Sequence, residues 1–250
     1  MTSIAKAPGK IILFGEHFVV YENRAILGAI DKYATVISEK TNTDNILISS
    51  SLGQASYNKA VLVKNVEKKF RPFFYIAKQA IAKNNFDKGI SIKIESEIPI
   101  GAGLGSSSAC CVAAAASISN LFNNTNKKEI LEVAIQAEKT IFPNSSGADC
   151  TVSVYGGIIE YQRERGFSKI NTENEFNFLI IDSEKVHATN KVVERVKKFK
   201  EENKHVFSEL CSEEERLITK ALDSMKNNDL ETIGKCMAQN QIYLEQIGVS

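Results

Sequence analysis

Residues 98–109 read Ile-Pro-Ile-Gly-Ala-Gly-Leu-Gly-Ser-Ser-Ser-Ala, so three glycines stand directly before three serines. A small apolar run from Ala109 to Ala116 follows, which is typical of a buried helix. Glycine lets the backbone take a positive φ and approach a ligand closely. The N-terminal end of a helix carries positive partial charge, and we expect the serine hydroxyls to cap its first N–H groups. The sequence therefore predicts an anion site here, with phosphate as the expected ligand.

The residues around this loop exclude two common nucleotide-binding motifs. Ser91 to Ile98 alternates apolar and polar residues, which predicts a half-buried antiparallel strand. A Rossmann unit needs a nearly continuous apolar parallel strand and the spacing G-x-G-x-x-G, and this loop has neither. No Gly-Lys-Ser follows the glycines, which excludes the Walker A loop. The chain therefore needs another kind of phosphate loop.

Composition limits the class of protein. The 250 residues are 43% hydrophobic, which suits one large domain or two smaller ones. The formal net charge of +1 gives no indication of a nucleic-acid or anionic-membrane partner. We find no apolar run of about 20 residues and no signal peptide. The 5 cysteines lack metal-ligand spacing, so we expect reduced, buried thiols in a cytoplasmic protein.

The hydrophobic pattern predicts a mixed α+β chain. Two short extended segments are expected between Ser3 and Val20, separated by a turn at Pro8-Gly9. The other predicted strands are Tyr33–Glu39, Ile46–Ser51, Cys150–Tyr155, Ile158–Tyr161 and Phe178–Ile181. The other predicted helices are Pro72–Asn84, Lys127–Ile141, Asn190–Asn203, Phe207–Lys226 and Leu230–Ile247.

Glu138 has an unusual position within its predicted helix. It falls on the same face as the apolar Ile130, Ala134 and Ile141. A carboxylate on an apolar face needs a cation, a metal or hydrogen-bond donors. A metal, a lysine or other cation, and hydrogen-bond donors all stay open as the partner of Glu138 at this point.

Three motifs resemble those of one kinase family. Residues 7–21, Ala-Pro-Gly-Lys-Ile-Ile-Leu-Phe-Gly-Glu-His-Phe-Val-Val-Tyr, are similar to the first signature of mevalonate kinases. Residues 99–109 are similar to the phosphate loop of the wider GHMP kinase superfamily. Glu138, followed by Ser-Gly-Ala-Asp at residues 146–149, resembles the third motif of that superfamily.

The resemblance implies an α+β GHMP kinase fold. Residues 1–165 would form the N-terminal domain, similar to domain 2 of ribosomal protein S5, with the phosphate loop and the catalytic residues. Residues 166–250 would form an α/β sandwich domain. The family's C-terminal glycine-rich motif is missing, so we expect this second domain to be incomplete. Phe-Pro-Asn-Ser at residues 142–145 also departs from the His-Gly-x-Pro that mevalonate kinases commonly carry.

The resemblance also implies a reaction, the ATP-dependent phosphorylation of the 5-hydroxyl of mevalonate in isoprenoid synthesis. Asp149 would take the hydroxyl proton and Lys10 would stabilise the developing alkoxide. Glu16 and His17 would bind the substrate together with Lys10 and Asp149. Ser107 and Glu138 would hold Mg²⁺. The residues implied to bind the ATP phosphates are Gly101, Ala102, Gly103, Leu104, Gly105, Ser106, Ser107 and Ser108.

Simpler interpretations and other functions stay open at this point. Asp149 alone could form an Asx turn, and Lys10 alone could be a surface lysine. Phosphomevalonate kinase, or another GHMP small-molecule kinase, is one alternative function, although Gly15-Glu16-His17 favours the mevalonate enzyme. A non-catalytic nucleotide-binding paralogue or an inactive fragment is the alternative from a different class. The expected partners are mevalonate and ATP, with no nucleic acid and no membrane, and a homodimer is left open.

Overall fold

The structure is a computed structural model that describes residues 1–172, 176–181 and 189–249, with the backbone alone for residues 189–191. The strands of the described residues are β1 (Thr2–Phe14), β2 (Ala25–Lys40), β3 (Asn45–Ser50), β4 (Gly53–Asn58), β5 (Ile90–Ser96), β6 (Ile158–Gln162) and β7 (Gly166–Lys169). The α-helices are α1 (Arg71–Lys83), α2 (Ser106–Asn120), α3 (Lys127–Lys139), α4 (Ala148–Tyr155), α5 (Thr189–Glu202), α6 (Lys204–Lys226) and α7 (Leu230–Gln246). Mixed helices and strands confirm the predicted α+β class.

The chain divides into two compact units. Unit 1 comprises Met1–Lys10, Ala29–Ile100 and Leu104–Gly156. Unit 2 comprises Ile11–Gly28, Gly101–Gly103 and the described residues after Gly156. The domain boundary at residue 165 stays a prediction.

Unit 1 contains strands in the order β4-β3-β5-β2, where β2 contributes its second half. β5 runs antiparallel to β2, with Ala34 opposite Ser96, and parallel to β3, with Leu47 opposite Ser91. The predicted alternation of β5 is confirmed, because Ile90, Ile92 and Ile94 are buried. The isoleucines share a core with apolar residues of α1, α2 and α3, so the helix after the glycine loop is buried as expected.

Unit 2 contains the first part of β2, which pairs antiparallel with β6, and the hairpin of β6 with β7. Its core joins Leu13, Phe14 and Ile26 to the apolar faces of α6 and α7. The three C-terminal helices confirm the predicted ones in type and position. No described helix is long and apolar enough to cross a membrane.

The predicted turn at Pro8-Gly9 is wrong, because β1 runs without a break from Thr2 to Phe14. Gly9 serves another purpose. A Cβ atom there would lie 2.8 Å from the carbonyl oxygen of Leu104. The glycine therefore lets the loop before α2 lie directly on β1.

The predicted strand at Cys150–Tyr155 is also wrong, because these residues belong to α4. Gly147 precedes the helix with φ of 85°. The hydroxyls of Ser145 and Ser146 accept hydrogen bonds from the N–H groups of Gly147 and Ala148 at 3.3 Å. Short apolar runs fit a buried helix and a buried strand equally well, so the pattern alone could not separate the two.

The strand predicted at Phe178–Ile181 is absent, since these described residues have no regular secondary structure. Leu179 is 87% exposed and Ile181 is 80% exposed. Apolar character therefore misled the prediction here, because a strand also needs a paired neighbour.

All five cysteines, at positions 110, 111, 150, 211 and 236, are free, and four of them are buried. The expectation of reduced, buried thiols is confirmed for these four. Cys211 is only partly buried.

Candidate active site

The glycine loop has the backbone conformation that its sequence predicts. Gly101, Gly103 and Gly105 have φ values of 85°, 75° and 72°. Gly105 is the N-cap of α2, and no side chain hydrogen-bonds at that cap. The expectation that the serines cap the helix is therefore wrong for the described structure. An anion could accept hydrogen bonds from the first N–H groups of α2, where the helix dipole also favours negative charge.

Lys10 connects this loop to a carboxylate. The residue is only 7% exposed, and its Nζ atom lies 3.2 Å from Oδ2 of Asp149. Its backbone N–H donates to the carbonyl oxygen of Leu104 at 2.9 Å. A Cβ atom on Gly105 would lie 2.7 Å from Cγ of Lys10, so the lysine stem packs directly on the last glycine of the loop. The burial of Lys10 and its ion pair with Asp149 argue against the interpretation of Lys10 as an ordinary surface lysine.

Asp149 lies in the first turn of α4, where the helix dipole stabilises a negative charge. Its side chain is 32% exposed. The carboxylate can therefore contact both the ammonium group of Lys10 and a ligand arriving from solvent.

Glu138 is almost wholly buried, with 5% exposure, near the end of α3. One carboxylate oxygen accepts a hydrogen bond from the hydroxyl of Ser108, and the other accepts from Ser145 at 2.6 Å. Burial raises the pKa of Glu138, the two serine hydrogen bonds oppose that rise, and the negative charge of Asp149 adds to it. The described partners are the hydroxyls of Ser108 and Ser145 and, at 3.8 Å, the thiol of Cys150, rather than a lysine.

Unit 1 thus brings together Lys10, Gly105, Ser108, Glu138 and Asp149. Ser106 and Ser107 open α2 beside Ser108, and it is Ser108 whose hydroxyl donates to Glu138. Three consecutive serines give no sequence signal of which one faces the carboxylate. Ser145 is a further contributor that the sequence analysis did not select.

Glu16 and His17 belong to unit 2. His17 Nε2 lies 4.0 Å from Oε1 of Glu16, and the histidine side chain is the more buried of the two, at 14% exposed against 49%. The N–H group of the preceding Gly15 donates to Oε1 of Glu214 at 2.8 Å. Glu214 is a second buried carboxylate that the sequence analysis missed.

A metal held by protein side chains alone is not indicated. Within the described parts of the chain, no three His, Cys, Asp or Glu side chains lie close enough together to form such a site. A cation here would need ligands from a bound nucleotide or from water.

Comparison with known proteins identifies the class of this fold and site. The family model "GHMP kinases N terminal domain" matches residues 65–157, which contain the loop, Glu138 and Asp149. The crystal structure of mevalonate kinase from Methanococcus jannaschii has a TM-score of 0.80 at 28% identity, over 100% of this chain and 80% of that chain. The architecture is that of the GHMP kinases.

Sequence relatives narrow the class further. The mevalonate kinase of Archaeoglobus fulgidus is 35% identical, over 99% of this chain and 80% of the relative. The mevalonate kinase of Thermococcus sibiricus is 31% identical, over 100% of this chain and 79% of the relative. This chain belongs to the mevalonate kinase family.

Proposed function

We propose that this protein transfers the terminal phosphoryl group of ATP to the 5-hydroxyl of mevalonate, giving 5-phosphomevalonate for isoprenoid synthesis. The observation that carries the proposal is the ion pair of the buried Lys10 with the partly exposed Asp149, 3.2 Å apart, in which the lysine packs on Gly105 of the phosphate loop. Family membership supplies the identity of the substrates. Free thiols suit the cytoplasm as the place of this reaction.

Asp149 and Lys10 would act on the acceptor alcohol. The hydroxyl loses its proton as the new bond to phosphorus forms, and a carboxylate oxygen of Asp149 would receive that proton. The ammonium group of Lys10 would stabilise the negative charge that develops on the oxygen. Because Lys10 is buried, little water competes for this interaction.

The loop from Gly101 to Ser108 would hold the phosphates of ATP. Its positive φ values turn the backbone so that a ligand can approach without side-chain interference. Catalysis of phosphoryl transfer is almost entirely positioning and charge stabilisation, which a fixed set of N–H donors provides.

Glu138 and the neighbouring serine hydroxyls would hold Mg²⁺. Mg²⁺ prefers oxygen ligands and is usually bound through one or two carboxylates together with substrate phosphates, so this donor set fits. Ser107 is the hydroxyl ligand implied by the family, and Ser108 is a second candidate because it already contacts Glu138. When bound, the ion would neutralise charge on the phosphates.

Glu16 and His17 would contribute to binding of mevalonate. Glu16 would accept a hydrogen bond from a hydroxyl group of mevalonate, and His17 would donate one to its carboxylate.

A coupled assay of the purified protein with ATP, Mg²⁺ and either mevalonate or its 5-phosphate tests the proposal. We expect turnover of mevalonate, and turnover of its 5-phosphate alone would contradict the proposal that mevalonate is the substrate.

Asp149→Asn should lower kcat about 1,000-fold while ATP affinity stays within a few-fold, because the variant loses the proton acceptor and keeps the loop. Asp223→Asn, on the exposed side of α6, is the matched control and should leave turnover unchanged. Normal turnover in Asp149→Asn would remove this residue from the mechanism.

A further inference from the structure

The Gly15-Glu16-His17 turn in unit 2 has an uncommon backbone. Gly15 has φ of 83°, and a Cβ atom there would lie 2.3 Å from the carbonyl oxygen of Arg24. His17 has φ of 66° and ψ of −37°, which non-glycine residues rarely adopt. Such a conformation costs free energy and persists only where the surroundings hold it.

Glu214 of α6 holds this turn through the backbone. The residue is 0% exposed, and its Oε1 accepts the hydrogen bond from the N–H of Gly15 at 2.8 Å. In the amide orientation that satisfies both groups, the side-chain nitrogen of Asn240 in α7 donates to Oε1 of Glu214 at 2.9 Å and to Oε2 at 3.3 Å. The described hydrogen-bond partners of Glu214 are therefore uncharged N–H donors.

Burial of a carboxylate without a cation is costly, and leucine would be the usual residue at such a position. Leu210, Leu217 and Ile218 surround Glu214 on the same buried face of α6. What Glu214 can do and leucine cannot is accept the N–H of Gly15 and the amide of Asn240. The hydrogen bond to Gly15 therefore connects Glu214 to the conformation of the turn, which packing by an apolar side chain would not do.

Several titratable and charged groups surround Glu214, and the pKa of Glu214 itself is shifted to near neutrality. Burial raises its pKa to about 7, the N–H of Gly15 opposes the rise, and Glu215 adds to it. Three neighbours have pKa values raised by burial, so they stay protonated at neutral pH: Cys211 of α6, and Cys236 and Tyr243 of α7. Arg24 hydrogen-bonds to Glu215 and Glu160.

We propose that Glu214 is a positioning residue for the acceptor: by fixing the N–H of Gly15, it sets the direction in which Glu16 and His17 meet mevalonate. The inference rests on the proposed function for the identity of the acceptor. The geometry of the turn does not depend on that function, so it can be tested separately.

Steady-state kinetics test the effect on the acceptor. Glu214→Leu should raise KM for mevalonate about tenfold and leave KM for ATP within about twofold, because it removes a buried hydrogen-bond acceptor next to the turn. Glu214→Gln should keep KM for mevalonate within about twofold of wild type, because its amide oxygen still accepts from Gly15 while its nitrogen donates to Asn240. Glu213→Leu, at a more exposed position on the same helix, is the matched control.

Amide hydrogen exchange tests the turn without any substrate. Exchange in a peptide covering residues 13–20 should accelerate in Glu214→Leu and stay slow in Glu214→Gln and Glu213→Leu. Glu214→Met, which is flexible and of similar length, replaces Glu214→Leu if that variant does not fold. If Glu214→Leu exchanges faster but the wild-type protein does not turn over mevalonate, the hydrogen bond between Glu214 and Gly15 stands. Mevalonate is then not the acceptor, and the proposed role of Glu214 in positioning it is refuted. Unchanged exchange, or an unchanged KM for mevalonate in an active enzyme, would overturn the proposal.

Discussion

Glu138 and Glu214 are both buried carboxylates, 5% and 0% exposed, and burial raises the pKa of each. Their donors differ in kind. Glu138 accepts from the hydroxyls of Ser108 and Ser145, which rotate freely and can turn toward another acceptor. Glu214 accepts from a backbone N–H, which is fixed by the chain, and from the amide of Asn240. A carboxylate held by hydroxyls can exchange a donor for a cation, whereas one held by a backbone N–H fixes the backbone.

Removing the charge from each carboxylate should separate these roles most strongly. Glu138→Gln should lower kcat about 100-fold or more and raise the Mg²⁺ concentration needed for half-maximal rate, because an amide is a poor ligand for this ion. Glu214→Gln should change neither quantity by more than about twofold. The measurement is initial rate against Mg²⁺ concentration at saturating ATP and mevalonate. A wild-type Mg²⁺ curve for Glu138→Gln would contradict a metal-binding role.

Removing one donor from each carboxylate should give smaller, distinct effects. The Ser145 hydrogen bond lowers the pKa of Glu138, so Ser145→Ala should raise that pKa and shift upward the acid limb of the profile of kcat/KM for ATP against pH. At low pH we expect kcat/KM for ATP to fall several-fold and to recover as the pH rises. Asn240→Ala should instead raise KM for mevalonate a few-fold. If both variants change the same kinetic parameter, the distinction between the two carboxylates fails.

The dependence of stability on pH should show the smallest effect. The pKa of Glu214 is about 7 in the folded protein against a usual 4.5, so between these values the folded state binds more protons than the unfolded state. The stability that Glu214 contributes is complete below about pH 4.5 and is lost as pH rises through about 7. Glu214→Gln cannot ionise, so its melting temperature should exceed that of wild type by several degrees at pH 8 and by less at pH 5. Thermal unfolding across this range checks the sign, and a gap that is larger at pH 5 would be the opposite result.

The sequence predicted the regions where local chemistry and periodicity agree. The loop at residues 98–109, the buried α2 and the position of Glu138 on the apolar face of α3 all followed from spacing and residue type. The helical conformation of residues 148–155 did not follow, because its signal is the start at Gly147, whose positive φ is a property of the fold. The long β1 was missed because Gly9 was interpreted as a turn, although its role depends on Leu104, far away in the sequence.

Glu214 has the same kind of sequence signal as Glu138. It lies four residues after Leu210 and three before Leu217 on the buried face of α6, the same kind of spacing that singled out Glu138. Three consecutive glutamates, Glu213-Glu214-Glu215, are typical of a solvated helix face. The run by itself therefore gives no indication that Glu214 is the buried one. Its partner Gly15 is 199 residues away, so no local pattern could have paired the two.

The amide of Asn240 gives the Glu214 contact a tolerance that neither residue has alone. A primary amide offers donors on one side and an acceptor on the other, so a half-turn of its side chain suits either an ionised or a neutral carboxyl group. Glu214 can therefore gain or lose a proton near pH 7 while its Oε1 continues to accept from Gly15. We therefore expect a change of pH near 7 to alter the stability of the protein more than the conformation of the Gly15-Glu16-His17 turn.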